Sequence, residues 1–163
     1  MLSLADERVL AGLVTGYACA LDARDWSGFR ALFADVVTLD YGSIGSVTGP
    51  IDADAWTTRC HALGGFDSTL HRIANLRCVA DGDRRAVAHS YIDAVHYIDV
   101  DGETLFAHVT GTYRHDCVRG ADGRWRIGGC VLNVAGYPNG KDNFVRAFAA
   151  ARARFAISQG NPA

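Results

Sequence analysis

The sequence contains no Cys-x-x-Cys pair, no run of basic residues, no apolar stretch of membrane-spanning length and no internal repeat. Each absence removes a class of protein. Five cysteines (Cys19, Cys60, Cys78, Cys117 and Cys130) are an odd, scattered set, which argues against a disulfide framework and a structural zinc site. Buried small hydrophobes are the simplest reading of all five. A formal net charge of −2 offers no electrostatic pull toward nucleic acid or an anionic membrane, so neither is expected as a partner. Residues Met1 to Arg8 lack the basic-then-apolar order of a secretory signal, and a cytoplasmic location is expected. Nothing resembles a linker. With 163 residues, the chain has room for one sizeable core, and a single domain over 1–163 is expected.

What is present falls into two parts. Ser3 with Asp6 three residues on reads as a helix cap. Leu10, Leu13, Val14, Tyr17 and Leu21 follow at helical spacing, and the apolar stripe ends beside Asp22. A short second helix is expected from Trp26, burying Trp26, Phe29, Leu32 and Phe33. Val36 to Tyr41 reads as a strand from its β-branched content, and Gly42 to Pro50 as a loop. Asp52 caps a third helix that runs to about Leu63, before Gly64-Gly65.

Beyond this point three Asp-Gly pairs, at 81–82, 101–102 and 122–123, separate long segments rich in Val, Ile, Tyr and Thr. Asp-Gly supplies the positive φ that a tight hairpin turn needs. A four-stranded meander is therefore expected at about 68–80, 85–100, 104–119 and 124–137, followed by a helix from Asp142 to about Ala156. Phe144, Phe148, Ala151 and Phe155 fall on one side of that helix.

The turns also predict which side chains meet. If Asp101-Gly102 occupies the centre of the second hairpin, His96 lies opposite Ala107, Ala94 opposite Val109, Ile92 opposite Gly111 and Ser90 opposite Tyr113. A two-residue turn at 81–82 or 82–83 puts His71 opposite Ile92 or Ala94, on the same face as His96 and roughly 7–13 Å away along the strand. A longer turn or a bulge would reverse that parity. The same face would carry Asn75, four residues after His71, and Tyr113. Helices must cover it, and the end of the first helix would then bring Asp22 to its edge.

Tyr17 to Trp26, Leu32-Phe33-Ala34-Asp35, Leu39-Asp40-Tyr41 and Phe66 to Asn75 resemble the SnoaL-like proteins of the nuclear-transport-factor-2-like superfamily, over nearly the whole chain. The resemblance implies an α+β fold. Its core would be a conical barrel of strongly curved antiparallel sheet, with N-terminal helices packed on the concave face and a C-terminal helix. It also implies one deep pocket and a homo-oligomer, trimer or dimer. The nearest enzymes in kind are scytalone dehydratase and hexachlorocyclohexane dehydrochlorinase. By resemblance Asp22 matches the carboxylate at the end of their first helix, and His71 the histidine paired with it in the dehydrochlorinase. His96 matches a second histidine of the dehydratase, and Tyr41 one of its two tyrosines. Leu21 replaces the other tyrosine, and Tyr113 stands near the position of that enzyme's asparagine.

The chemistry expected is proton abstraction from carbon. A carboxylate bonded to one imidazole nitrogen fixes the tautomer and stabilises the imidazolium that forms. His71 held by Asp22 would be the base, with His96 and Tyr41 assisting a leaving group or polarising a carbonyl. Tyr17, Asn75, Tyr113, Ile92 and Leu132 would bind a small hydrophobic, cyclic substrate, and no cofactor is required. Such a protein is a lyase or isomerase of the dehydratase or dehydrohalogenase type. Two other readings accompany this one. Two histidines and a carboxylate also suit a facial iron triad, although no local metal motif is present. The fold further serves as a non-catalytic ligand-binding module and as the small subunit of ring-hydroxylating dioxygenases. A lone histidine on an apolar face is ordinarily a hydrogen-bonded core residue, and Tyr41 and Tyr113 have the same plain reading. His61, His89, His108 and His115 have no evident partner, and Phe144, Phe148 and Phe155 suit either a pocket lid or a subunit contact.

Overall fold

The Ser3 hydroxyl accepts the Asp6 N–H at 3.1 Å, and helix α1 runs from Leu4 to Ala23 in the computed structural model, which describes residues 1–160. The expected stripe is buried: Leu10, Leu13, Val14, Tyr17 and Leu21 all face the core. Arg24 ends the helix in the left-handed region, at φ 58°. Asp25 then caps α2 (Trp26–Ala31) by accepting the Gly28 N–H at 2.9 Å. Strand β1 spans Phe33–Asp40, so Phe33 belongs to a strand rather than to the second helix.

The segment read as a loop, Gly42 to Pro50, holds a 3₁₀ turn at Gly42–Ile44 and the start of β2 (Thr48–Asp52). Proline hides a strand from sequence reading because it cannot donate to a ladder. It is tolerated here because β2 lies at the edge of the sheet, with Pro50 opposite Thr38. Asp52 caps α3 (Ala53–Cys60) by accepting the N–H groups of Asp54 and Ala55, and a 3₁₀ segment continues over His61–Gly65.

The meander follows as β3 (Ser68–Ala80), β4 (Arg85–Val100), β5 (Glu103–Arg119) and β6 (Trp125–Gly136). Helix α4 (Lys141–Ser158) closes the described chain. The six strands form one curved, unclosed sheet in the order β2-β1-β6-β5-β4-β3. One seam departs from the expected antiparallel sheet, since β1 runs parallel to β6. Turn chemistry dictates the partner only of strands joined by a hairpin, and nothing local specifies what β1 pairs with.

The second hairpin has the predicted register: His96 faces Ala107, Ala94 Val109, Ile92 Gly111 and Ser90 Tyr113. The first hairpin reaches the predicted face by another route. Its turn is longer, closed by the Asp81 N–H donating to the Arg85 carbonyl, and Ala80 pairs with Ala86. A bulge between Ala74 and Arg77 then shifts the register back. Either irregularity alone would turn His71 to the other face. Together they cancel, and His71 lies opposite Ala94. The bulge corrects one expectation. Asn75 takes φ 50° there and is exposed, so it does not share the inner face with His71.

Three helices cover that inner face. α1 lies across β3, α3 packs on β1 and β2, and α4 packs on β5, β4 and the 3₁₀ segment. The close approach of α4 depends on Gly65, where a Cβ would fall 1.9 Å from the Ala151 carbonyl oxygen. Among the described residues no helix is long and apolar enough to cross a membrane.

Candidate active site

Between the sheet and the helices lies a cavity of about 330 Å³, a size suited to a small ligand. His71 and His96 line it, as do Tyr17, Tyr41 and Tyr113. Ile92 and Leu132 contribute apolar walls. Seven of the nine residues expected to form the site thus face one space. Asn75 does not reach it, and Asp22 stands behind His71 rather than in the wall.

Asp22 is anchored through both oxygens. Oδ2 accepts the backbone N–H of His71 at 2.8 Å. Oδ1 accepts the Thr69 hydroxyl at 2.8 Å and faces His71 Nδ1 at 2.6 Å. Thr69 in turn accepts from the Arg24 guanidinium at 2.8 Å, which also donates to the Leu21 carbonyl. Burial raises the Asp22 carboxyl, but the His71 ring, the His71 N–H and Thr69 outweigh it and hold the group below the usual carboxylate range. The carboxylate is therefore ionised at neutral pH. Since it can only accept, His71 Nδ1 carries a proton, and in the neutral ring the lone pair is then on Nε2. Thr69 was legible in principle, because it lies two residues before His71 on the same face. Arg24 carries no such signal.

The His96 ring stands perpendicular to that of His71, with centroids 5.0 Å apart. Its Nδ1 faces the Ala107 carbonyl at 3.4 Å, so this nitrogen is the protonated one and Nε2 is again an acceptor. Burial, reinforced by the proximity of His71, pulls the His96 pKa down to about 3. His96 is neutral at any working pH.

The three tyrosines meet at the other end of the cavity. The Tyr17 and Tyr41 hydroxyls are 2.6 Å apart, and Tyr41 Oη lies 3.3 Å from Cys130 Sγ. Burial pushes the Tyr17 and Tyr41 hydroxyls far above their usual range and raises Tyr113 as well. They serve as neutral donors. Burial also raises the Cys60 thiol in the wall and pushes Cys130 up to about 12, so neither is an activated nucleophile. Cys19 is exposed and Cys78 half-buried, contrary to the reading of all five cysteines as core residues.

The remaining histidines have separate settings. His61 packs on Trp26, His89 is exposed, and His108 Nε2 lies 2.7 Å from Asp93 Oδ1. His115 is fully buried between Tyr17 and Tyr113, and among the described residues neither ring nitrogen has a hydrogen-bond partner. Burial depresses its pKa to about 4. Among the described residues no three His, Cys, Asp or Glu side chains are grouped to hold a metal ion; Asp22 and His71 are bonded to each other instead. Phe144 and Phe148 close the cavity from α4, with rings 4.6 Å apart. Sequence reasoning did not anticipate Trp56, Arg59 or Arg152 in the wall, because each comes from a helix whose packing is a long-range matter.

A curved sheet that folds three helices over one histidine-bearing pocket defines the class, an α+β domain of the nuclear-transport-factor-2-like kind. The chain belongs to the SnoaL-like domain family, which matches residues 2–131. Among solved structures it is similar to the Kfla4162 protein from Kribbella flavida. That likeness has 25% identity and a TM-score of 0.75, over 91% of this chain and 98% of that one. A protein from Novosphingobium aromaticivorans assigned as a scytalone dehydratase shares the fold at 22% identity, with a TM-score of 0.70 over 84% and 89% of the two chains. The hexachlorocyclohexane dehydrochlorinase LinA-type3 from Novosphingobium barchaimii shares it at 16% identity, with a TM-score of 0.68 over 82% and 89%. No curated protein matches the chain.

Proposed function

We propose that this protein is a cofactor-independent lyase or isomerase of the dehydratase or dehydrohalogenase type, acting on a small hydrophobic cyclic substrate. The observation that carries the reading is the Asp22–His71 pair, bonded at 2.6 Å behind an apolar cavity that His71 lines. In the proposed reaction His71 Nε2 takes a proton from a substrate carbon. The positive ring is stabilised by Asp22, and the electron pair of the broken C–H bond forms the new double bond as the leaving group departs. His96 accepts a hydrogen bond from a substrate hydroxyl, and the Tyr41–Tyr17 pair donates to a carbonyl. Halide leaves as the anion, and hydroxide leaves as water with the proton returned from His71. Return of that proton to a different carbon gives the isomerase outcome.

The test is hydrogen–deuterium exchange at activated carbons, followed by NMR in D₂O, across cyclic β-hydroxy ketones and halogenated rings. The wild-type protein is expected to catalyse exchange or elimination with at least one of them. Asp22→Asn and His71→Ala should each lower the rate by about 10² or more. Full activity in both variants would end the proposal. Saturable binding with no exchange would instead favour the ligand-binding module.

A further inference from the structure

Arg59, in the last turn of α3, and Arg152, on α4, both line the cavity. Both are exposed, and among the described residues neither guanidinium has a salt bridge or a hydrogen bond. The contrast with Arg154, two residues along the same helix, is informative. Arg154 is tied to Asp67 at 2.6 Å and to the Asp99 carbonyl, so it fastens α4 to the sheet. Arg152 extends over the Phe148 ring, 5.9 Å from its centroid. Among the described residues no aspartate or glutamate lines the cavity. The Asp22 carboxylate lies behind His71 with its oxygens already accepting from Thr69 and His71.

The rim is therefore a pair of unneutralised cations at the mouth of an apolar, aromatic-walled space. Packing against Phe148 and a place at a helix C-terminus account for where the two stems lie. They leave the guanidinium forks without partners. Planar forks of this kind match a carboxylate, and two positive charges at a low-dielectric opening draw anions toward it. We propose that the substrate is a cyclic acid whose ring occupies the cavity and whose carboxylate is held at the rim by Arg59 and Arg152. Anchoring at the rim would orient the ring, so that one of its edges is presented to His71. The inference builds on the proposed function by naming the substrate class of the same cavity.

Two probes of one shape and different charge test it. 2-Naphthoate and 2-naphthamide are titrated into the full-length protein by calorimetry, at low and at moderate salt. Wild type is expected to bind the carboxylate roughly tenfold tighter or better, with the preference shrinking as salt rises. In the Arg59→Gln/Arg152→Gln double variant the preference should collapse to about twofold or less, while amide binding is retained. Both arginines are exposed and, among the described residues, unpaired, and an unchanged melting temperature will confirm that the variant folds. Equal binding of the two probes by wild type, a preference that survives in the double variant, or no saturable binding of either probe would each overturn the proposal. Asp22→Asn separates the two readings, because it should keep the naphthoate preference even though the proposed chemistry requires its rate to fall by about 10² or more. Turnover without any charge preference would overturn this inference alone.

Discussion

His71 and His108 each sit against an aspartate, at 2.6 and 2.7 Å, and only His71 also lines the cavity. His108 shares Asp93 with Arg72 on the solvent side of the sheet, where an ion pair contributes little. Residue type and spacing do not separate the two pairs, whereas strand parity does, because His71 and His96 project inward. His96 yields a prediction at this scale. With a pKa of about 3 it stays neutral through the pH range where the proposed activity would be assayed. It therefore cannot set the acid limb of a pH–rate profile. His96→Asn is expected to lower kcat by about 10-fold or more and to leave the acid limb of kcat/KM where it was. A displaced limb would assign the titrating group to His96 and remove its role as a neutral acceptor.

Among the elements, α4 decides whether the pocket is closed. The four hairpin strands announce themselves through β-branched runs and Asp-Gly turns, and their limits are legible to within a residue or two. The α4 periodicity is equally visible, but its destination is not, because an apolar stripe fits a cavity as well as a second subunit. Gly65 marks where it lands. Alanine at this position would press its Cβ on the Ala151 backbone, which cannot yield as a flexible side chain would. Gly65→Ala is expected to cost about 2 kcal/mol, with weaker binding of naphthalene probes in the cavity. Gly64→Ala is the control, since its Cβ would meet only the Phe155 ring at 3.7 Å. Thermal melts of the pair check this. A Gly65→Ala melt within about 1 °C of wild type would show that α4 does not depend on the close approach.

At the scale of the whole molecule, acid stability follows from two histidines buried without charge. His96 and His115 have pKa values near 3 and 4 in the folded protein, against about 6.5 when unfolded. The unfolded chain therefore binds more protons below pH 6.5. The neutral histidines' contribution is fully present above that pH and is lost as pH falls toward 4 and then 3. The lowered aspartates, Asp22 and Asp93 among them, lose their contribution in the same direction at lower pH. The melting temperature should fall steadily from pH 7 to pH 4.5. His115→Leu, which replaces an unpartnered imidazole with an apolar side chain, should recover on the order of 2 kcal/mol at pH 4.5 and less at pH 7. Equal effects at both pH values would mean that His115 is not titrating.

The sequence alone determined what short-range physics controls. Ser3 and Asp52 cap their helices, Asp-Gly turns separate the meander strands, and side-chain alternation puts His96, Ala94 and Ile92 on one face. Tertiary structure decided what depends on distant parts meeting. It placed Asp22 against His71, cancelled a long turn with a bulge so that His71 faces inward while Asn75 does not, and ran β1 parallel to β6. It also laid α4 over the cavity with Arg152 at its rim. Caps, turns and periodicity act between residues a few positions apart, whereas the site is assembled from α1, β3, β4 and α4, which only the packing of the whole sheet brings together.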